Sequence, residues 1–312
     1  SLPKSELLSW SDSAAFPSIP TDDAISTFRK LGSFPFFAKT ESFEFRLTTD
    51  LHSRNDRHLW EFSDSETKDL SIPVLNGRSI NMWDPDAGDP FAYADPTTLL
   101  PFLLGKAKPG NARPTSAYAG LGIEATEDLP VQRARIAYKK ITSPTNRRSA
   151  IQCLIPPRAT AIDVVPLVVR VRGTEADEAY LLGVMCSIPF DWYVRRWVEL
   201  HLTFEILRRM PIPEAEPGHP FRERMVNLAG CLSARDERYS EWAEAVGVPV
   251  GSLTDPVERD EAIAEIDALS ALLYGLDWDD VVHIFETFHR GWDYTDRLAA
   301  VQVHFERWKS EA

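Results

Sequence analysis

Apolar and polar side chains alternate through much of the first half of the chain and recur at helical spacing after Glu178, so the sequence predicts strands first and helices afterwards. The earliest expected element is a short helix, AISTFRKL, introduced by the capping residues Thr21, Asp22 and Asp23 and stopped by Gly32. Residues 42–51, SFEFRLTTDL, alternate as a half-buried strand does and run into the polar loop HSRNDRHLWEF. SIPVLNGRSINMWD, residues 71–84, reads as two short strands around the turn pair Asn76-Gly77. The stretch that follows, through Pro114, is rich in Pro, Gly and Asp and predicts an insertion with at most one short helix.

After Pro130 two strands are expected, VQRARIAYKKI and RRSAIQCLIPP, joined by a turn over residues 142–146. Period-two geometry puts Val131, Arg133, Arg135, Ala137 and Lys139 on one face and Gln132, Ala134, Ile136, Tyr138 and Lys140 on the other, so one face is basic. AIDVVPLVVRVRG continues as a β segment in which Pro166 marks an edge or a break. From Glu178 a helical pattern runs to Met210, kinked or divided at Pro189, with Asp191, Arg195, Arg196 and His201 on its polar side or at its exit. Residues 208–213, RRMPIP, cannot continue a helix and predict an extended linker, beyond which the chain is amphipathic and helical to its end. The expectation is an α+β protein: a strand-rich domain over residues 1–213 and a helical domain over 214–312.

Charge changes this picture. The net charge is −13, yet residues 132–172 hold nine Arg or Lys and a single acid, Asp163. Acids exceed bases by seven up to Pro130, bases exceed acids by five from Val131 to Arg224, and acids exceed bases by eleven thereafter. A segregated basic block attracts phosphates over a Debye length of about 8–10 Å, whereas the acidic C-terminal block argues against a whole-surface grip on DNA. The basic residues are interleaved with Tyr138, Thr142, Thr145 and Asn146, groups suited to phosphates and base edges. The expected DNA-binding residues are Arg133, Arg135, Tyr138, Lys139, Lys140, Thr142, Thr145, Asn146, Arg147 and Arg148, with Asn55, Arg57 and Arg78 from the two earlier loops. Arg113 and Lys106 are either mobile contacts or solvated side chains.

Other chemistries have weaker support. Cys153, Cys186 and Cys231 form no C-x-x-C pair and read as small core residues. Asp56, Glu66 and Lys68 sketch a magnesium-dependent nuclease, a triplet that arises often by chance. The pairs His201/Glu205 and Asp279/His283 lack a third ligand, so no metal site is expected. No run of about 18 apolar residues and no charged-then-apolar N-terminal order is present, so the expected setting is the cytoplasm, away from membranes.

RIAYKKITSPTNRRSAIQCLIPP resembles a motif of type IIG restriction-modification methyltransferases and of related phage-defence methylases of the DISARM and BREX systems. Thr145-Asn146, Arg148-Ser149 and Ile155-Pro156-Pro157 match it, while Lys140 stands near the position of the pattern's acid. Three more blocks resemble that family in the same order: NDRHLW with SIPVLNGRSINMWD, then YLLGVMCSIPFDWYVRRWVELHLTFEILRRMPIP, then IDALSALLYGLDWDDVVHIFETFHRGWDY. Together they span about Ser13 to Trp308, and Cys186-Ser187 replaces the usual Asn-Ser. The resemblance implies a target recognition region that reads DNA for adenine-N6 methylation or linked cleavage, with double-stranded DNA and a methyltransferase domain or subunit as partners. S-adenosylmethionine would belong to that methyltransferase part. Neither an Asn-Pro-Pro-Tyr loop nor a Gly-rich cofactor turn appears here, so no catalytic residues are expected. The competing expectation is a protein-interaction scaffold that docks a separately encoded methylase through its acidic helices.

Overall fold

The computed structural model describes residues 17–19, 21, 24–62 and 71–311. The fold is α+β, with about 45% helix and 13% strand. Helix α1, Ala24–Leu31, starts where Thr21 Oγ1 accepts the Ala24 N–H and buries Ala24, Thr27, Phe28 and Leu31, the one-faced spacing of an amphipathic helix. Asp22 and Asp23 of the expected cap lie outside the described residues.

Strands β1 (Glu44–Thr48), β4 (Arg135–Tyr138), β5 (Gln152–Ile155) and β7 (Leu167–Arg172) form an antiparallel sheet in the order β1-β7-β4-β5. Pro166 precedes β7, which is an interior strand, so that proline marks a break and not an edge. A second sheet has the order β3-β2-β6, where β2 is Ile72–Leu75, β3 is Ala92–Ala94 and β6 is Thr160–Ala161. Asn76-Gly77 does turn the chain, with Ser79 N–H donating to Asn76 O, but the residues after it form no return strand. The antiparallel partner of β2 is instead Ala92–Ala94, inside the stretch expected to be insertion. That stretch also holds α2, Pro96–Ala107, which Asp95 caps by accepting the Thr97 N–H and which carries Pro101 in its interior.

Strands β4 and β5 of the four-stranded sheet are buried on both faces, which decides how the basic strand reads. Phe45, Leu47, Ile136, Tyr138, Leu154 and Val168 join the main core against the helices. Ala137, Cys153, Ile155 and Leu167 point the other way into a smaller core with Leu75, Ile80 and Ala161. No face of β4 is left for solvent, so Arg135 is 3% exposed and its guanidinium pairs with Asp50, 3.0 Å away, and donates to Ala159 O. The expectation of an exposed basic face on this strand is corrected accordingly: period two identifies two faces but not what covers each.

The helical pattern from Glu175 divides as Pro189 requires, into α3 (Glu175–Cys186) and α4 (Ile188–Val194), with Ser187 capping the second. Met210 and Ile212 are fully buried, and Tyr180 and Tyr274 donate their hydroxyls to Pro213 O and Pro211 O at 2.7 Å. Arg208 still ends a helix and Arg209 caps it, so the expected extended linker is confined to the part from Pro211, which bridges to Phe36 and is threaded through the core. After the short α5 (Phe204–Arg208) come α6 (Pro220–Ser233), α7 (Ser240–Val246), α8 (Pro256–Leu273), α9 (Trp278–Glu286) and α10 (Thr295–Glu311). Their apolar residues share one core with α1, α3 and α4.

Glu178 on α3 is buried and accepts the Trp242 indole N–H at 2.9 Å. Burial pushes its carboxyl up to about 7, against the opposing influence of Arg170 and of the indole. Because the folded value lies above the unfolded one, this group favours folding most below pH ~4.3 and its contribution is lost as pH rises through about 7. Glu178→Gln, which keeps an acceptor for Trp242, should therefore gain on the parent protein by up to roughly 3–4 kcal/mol between pH 4.5 and pH 8. Urea denaturation of both proteins at the two pH values measures this, and parallel pH dependences would contradict it.

Candidate nucleic-acid interface

The connection between β4 and β5, residues 139–151, is the most exposed part of the basic stretch. Its base is closed by Lys139 N–H donating to Ile151 O and Thr142 Oγ1 donating to Ser149 O. Its tip is a turn in which Asn146 N–H donates to Ser143 O, as the Pro144 and Asn146 pattern predicts. The hydroxyls of Ser143 and Thr145 lie 2.8 Å apart.

Side chains from the helices hold this turn from behind. Asp191 of α4 has no exposed surface and accepts the N–H groups of Ser149 and Ala150 together with Arg148 Nε, 2.6 Å away. Arg148 also donates to Cys186 O and Ser187 O, the carbonyls at the break between α3 and α4. Arg195, one turn after Asp191, donates to Pro144 O, Asn146 O and Arg147 O at 2.8–3.1 Å. Its guanidinium lies 4.3 Å from the centre of the Phe288 ring, and His289 Nε2 donates to Thr145 O at 2.9 Å. Four consecutive carbonyls of the turn, residues 144–147, are thus fixed by two side chains. Burial lowers the Arg195 guanidinium below its usual range.

In front of the turn is a depression of about 410 Å3 lined by Asn76, Gly77, Arg78, Lys139, Ile141, Asn146, Ile151, Ile162 and Val164. Two separate segments supply its polar groups, and no acid lines it. Burial lowers the Lys139 ammonium below its usual value, so an anion placed there would be favoured by the half-desolvated amine. Asn76 Oδ1 accepts the Arg78 N–H at 2.8 Å, which sets the direction of the Arg78 backbone. The loop of Asn55 and Arg57 is tied beside the depression, since Ser53 N–H donates to Asp163, the residue between Ile162 and Val164. Within that loop Arg57 lies over the Phe62 ring and donates to Trp60 O, while Asn55 is exposed.

The expected site residues therefore fall into groups. Arg78, Lys139 and Asn146 meet in the depression, and Thr145 and Arg147 are exposed on the adjoining turn. Lys140 is half-buried beside them. Arg133 is exposed but lines a separate small cavity with Arg135 and Glu178. Three expectations are corrected by burial. Arg135 is enclosed and neutralised by Asp50, Thr142 is 4% exposed with its hydroxyl used inside the hairpin, and Tyr138 has no exposed surface. The side chain of Arg148 is 18% exposed and committed to Asp191, so it positions the turn and is not free for a phosphate. Asp191, Arg195 and Arg196 were expected on a polar helix face, yet all three are buried. Asp50 and Asp191 lie 85 and 43 residues from the arginines they pair with, distances over which sequence spacing carries no signal. Of the sketched nuclease triplet, Glu66 and Lys68 lie outside the described residues, and Asp56 accepts the His52 N–H. Among the described residues no three His, Cys, Asp or Glu side chains are grouped to hold a metal, and no helix is long and apolar enough to cross a membrane.

Behind the turn is a second groove, about 550 Å3, between the starts of α8 and α10, and Arg147 and Arg148 form its near wall. The turn is thus a ridge between two concavities.

Neither a protein-family model nor any curated protein matches the chain. Among solved structures it is similar to the type IIL restriction-modification enzyme MmeI, determined in complex with DNA, at 13% identity and a TM-score of 0.41. The match covers 82% of this chain and 36% of that enzyme, so the chain spans about a third of its length.

Replacing Asp191 by Ala should destabilise the protein by about 3–5 kcal/mol, because it leaves a mostly buried guanidinium without its counter-charge and two amide groups without an acceptor. Chemical denaturation measures this, and a loss under about 1 kcal/mol would show that the carboxylate is not what holds the turn.

Proposed function

We propose that this chain is the DNA target recognition region of an adenine-N6 DNA methyltransferase of a restriction-modification or phage-defence system. The observation that carries the reading is the acid-free depression where Arg78, Lys139 and Asn146 converge beside a turn fixed through its own backbone. Recognition needs cations that meet phosphates and an amide or guanidinium that meets base edges, held so that binding orders little. Asn146 is the side chain suited to pair with adenine and Arg78 the one suited to guanine, while Lys139, Lys140 and Arg147 are placed for phosphates. The four sequence blocks that resemble the type IIG, DISARM and BREX enzymes support the same reading independently. In it the chain binds and does not catalyse. The methyl donor, S-adenosylmethionine, is held by a methyltransferase domain or subunit that also extrudes the target base, and the assembly works in the cytoplasm.

Selection from a library of randomised duplexes tests the proposal. The parent protein should enrich a short motif, and its affinity should fall with salt at a log–log slope of about −0.9 per phosphate contact. Lys139→Ala with Arg147→Ala should weaken binding to every duplex and flatten that slope by about 2. Asn146→Ala should instead relax the motif at one position, at a cost of roughly 1–3 kcal/mol for the preferred site alone. No enriched motif, or a salt slope unchanged in the double variant, would refute the assignment.

A further inference from the structure

The groove behind the turn has the opposite electrical character to the depression in front. Its floor is apolar, made by Ile188, Ile263, Phe288 and Trp292, and Val257 stands at its lip with 76% of its surface exposed. Its far rim carries Asp260, Glu261, Asp293 and Asp296. Asp293 and Asp296 sit at the start of α10, where carboxylates are expected to complement the helix dipole. Asp260 and Glu261 are different: they lie beyond the first turn of α8, which Asp255 already caps, so capping does not explain them. Of the three arginines in the groove, Arg148 and Arg297 are paired with Asp191 and Asp267, which leaves Arg147 as the one cation facing four acids, of which Glu261 is hydrogen-bonded to His304. The rim is therefore left with a negative excess around an apolar floor on which Ile263 and Trp292 remain half-exposed.

We infer that this groove is a docking site for a partner protein, through a segment that inserts one large apolar side chain between Val257 and Trp292 and sets lysines or arginines against Asp260, Glu261 and Asp296. An apolar anchor ringed by complementary charge is the arrangement that gives a small interface both affinity and orientation. Nucleic acid is a poor occupant because the rim would repel its phosphates. A second copy of this chain is also disfavoured, because each copy carries a net charge of −13. The inference does not rest on DNA binding, although Arg147 stands on the ridge between the two concavities.

The probe is a short fluorescein-labelled peptide alternating lysine and leucine, with a glutamate–leucine peptide as control, added to the whole chain and followed by anisotropy. The basic peptide should bind and the acidic one should not. Val257→Asp, and separately Asp260→Lys with Asp296→Lys, should each weaken binding at least about tenfold, the loss expected for one anchor or its charge ring. These positions are at the surface, so Val257→Asp should leave thermal unfolding unchanged and the double variant should lower it by only a few degrees, the loss expected from Asp296 at the start of α10. Equal binding of both peptides, or full binding by both variants, would overturn the inference. So would binding of a labelled DNA duplex to the protein that Val257→Asp abolishes, or self-association of the parent protein that the same substitution abolishes, each of which would give the groove another occupant.

Discussion

The Asp191 carboxylate is the constraint on which the arrangement of the candidate interface depends. It lies where the sheet meets the helices, has no exposed surface, and is satisfied only because the β5 side of the hairpin turn brings two N–H groups and a guanidinium to it. A buried carboxylate without such partners would cost several kcal/mol. The turn and α4 are thus mutually required, and Arg195 on the same helix extends the hold to the carbonyls at the tip. What the turn offers to solvent is set largely by groups that are themselves buried.

This explains which parts of the molecule were legible in the sequence. Local chemistry was readable: the Thr21 cap of α1, the division at Pro189 and the turn within residues 142–146 all appear where residue type and spacing place them. Pairing between distant segments was not. Strand β3 is three residues long and sits among prolines and glycines, so nothing in its own pattern marks it, and only β2 gives it a ladder. The basic alternation of β4 was correctly located, but whether Arg135 meets water or Asp50 depends on a second layer 85 residues away. The candidate site was legible as a neighbourhood, through Arg78, Lys139, Asn146 and Arg147, and illegible as a mechanism of support.

Charge segregation along the chain becomes segregation across a single ridge. Excess base in residues 131–224 and excess acid thereafter could have mixed on folding. In part they do, as Arg224 paired with Glu265 shows, but the hairpin turn stands between an acid-free concavity and an acid-rimmed one. Such a boundary lets one small element face two partners of opposite sign without either being repelled by the groups that attract the other.

The threaded passage from Met210 to Pro213 bears on how such a chain could be recombined. Its prolines resemble a hinge between exchangeable modules, but its carbonyls anchor two tyrosines, one from each side of it, and Ile212 is fully enclosed. A crossover there would graft one half onto a foreign interior. The exposed bend at Glu216–His219 is the nearby place where a chimera could be joined without reopening that interior.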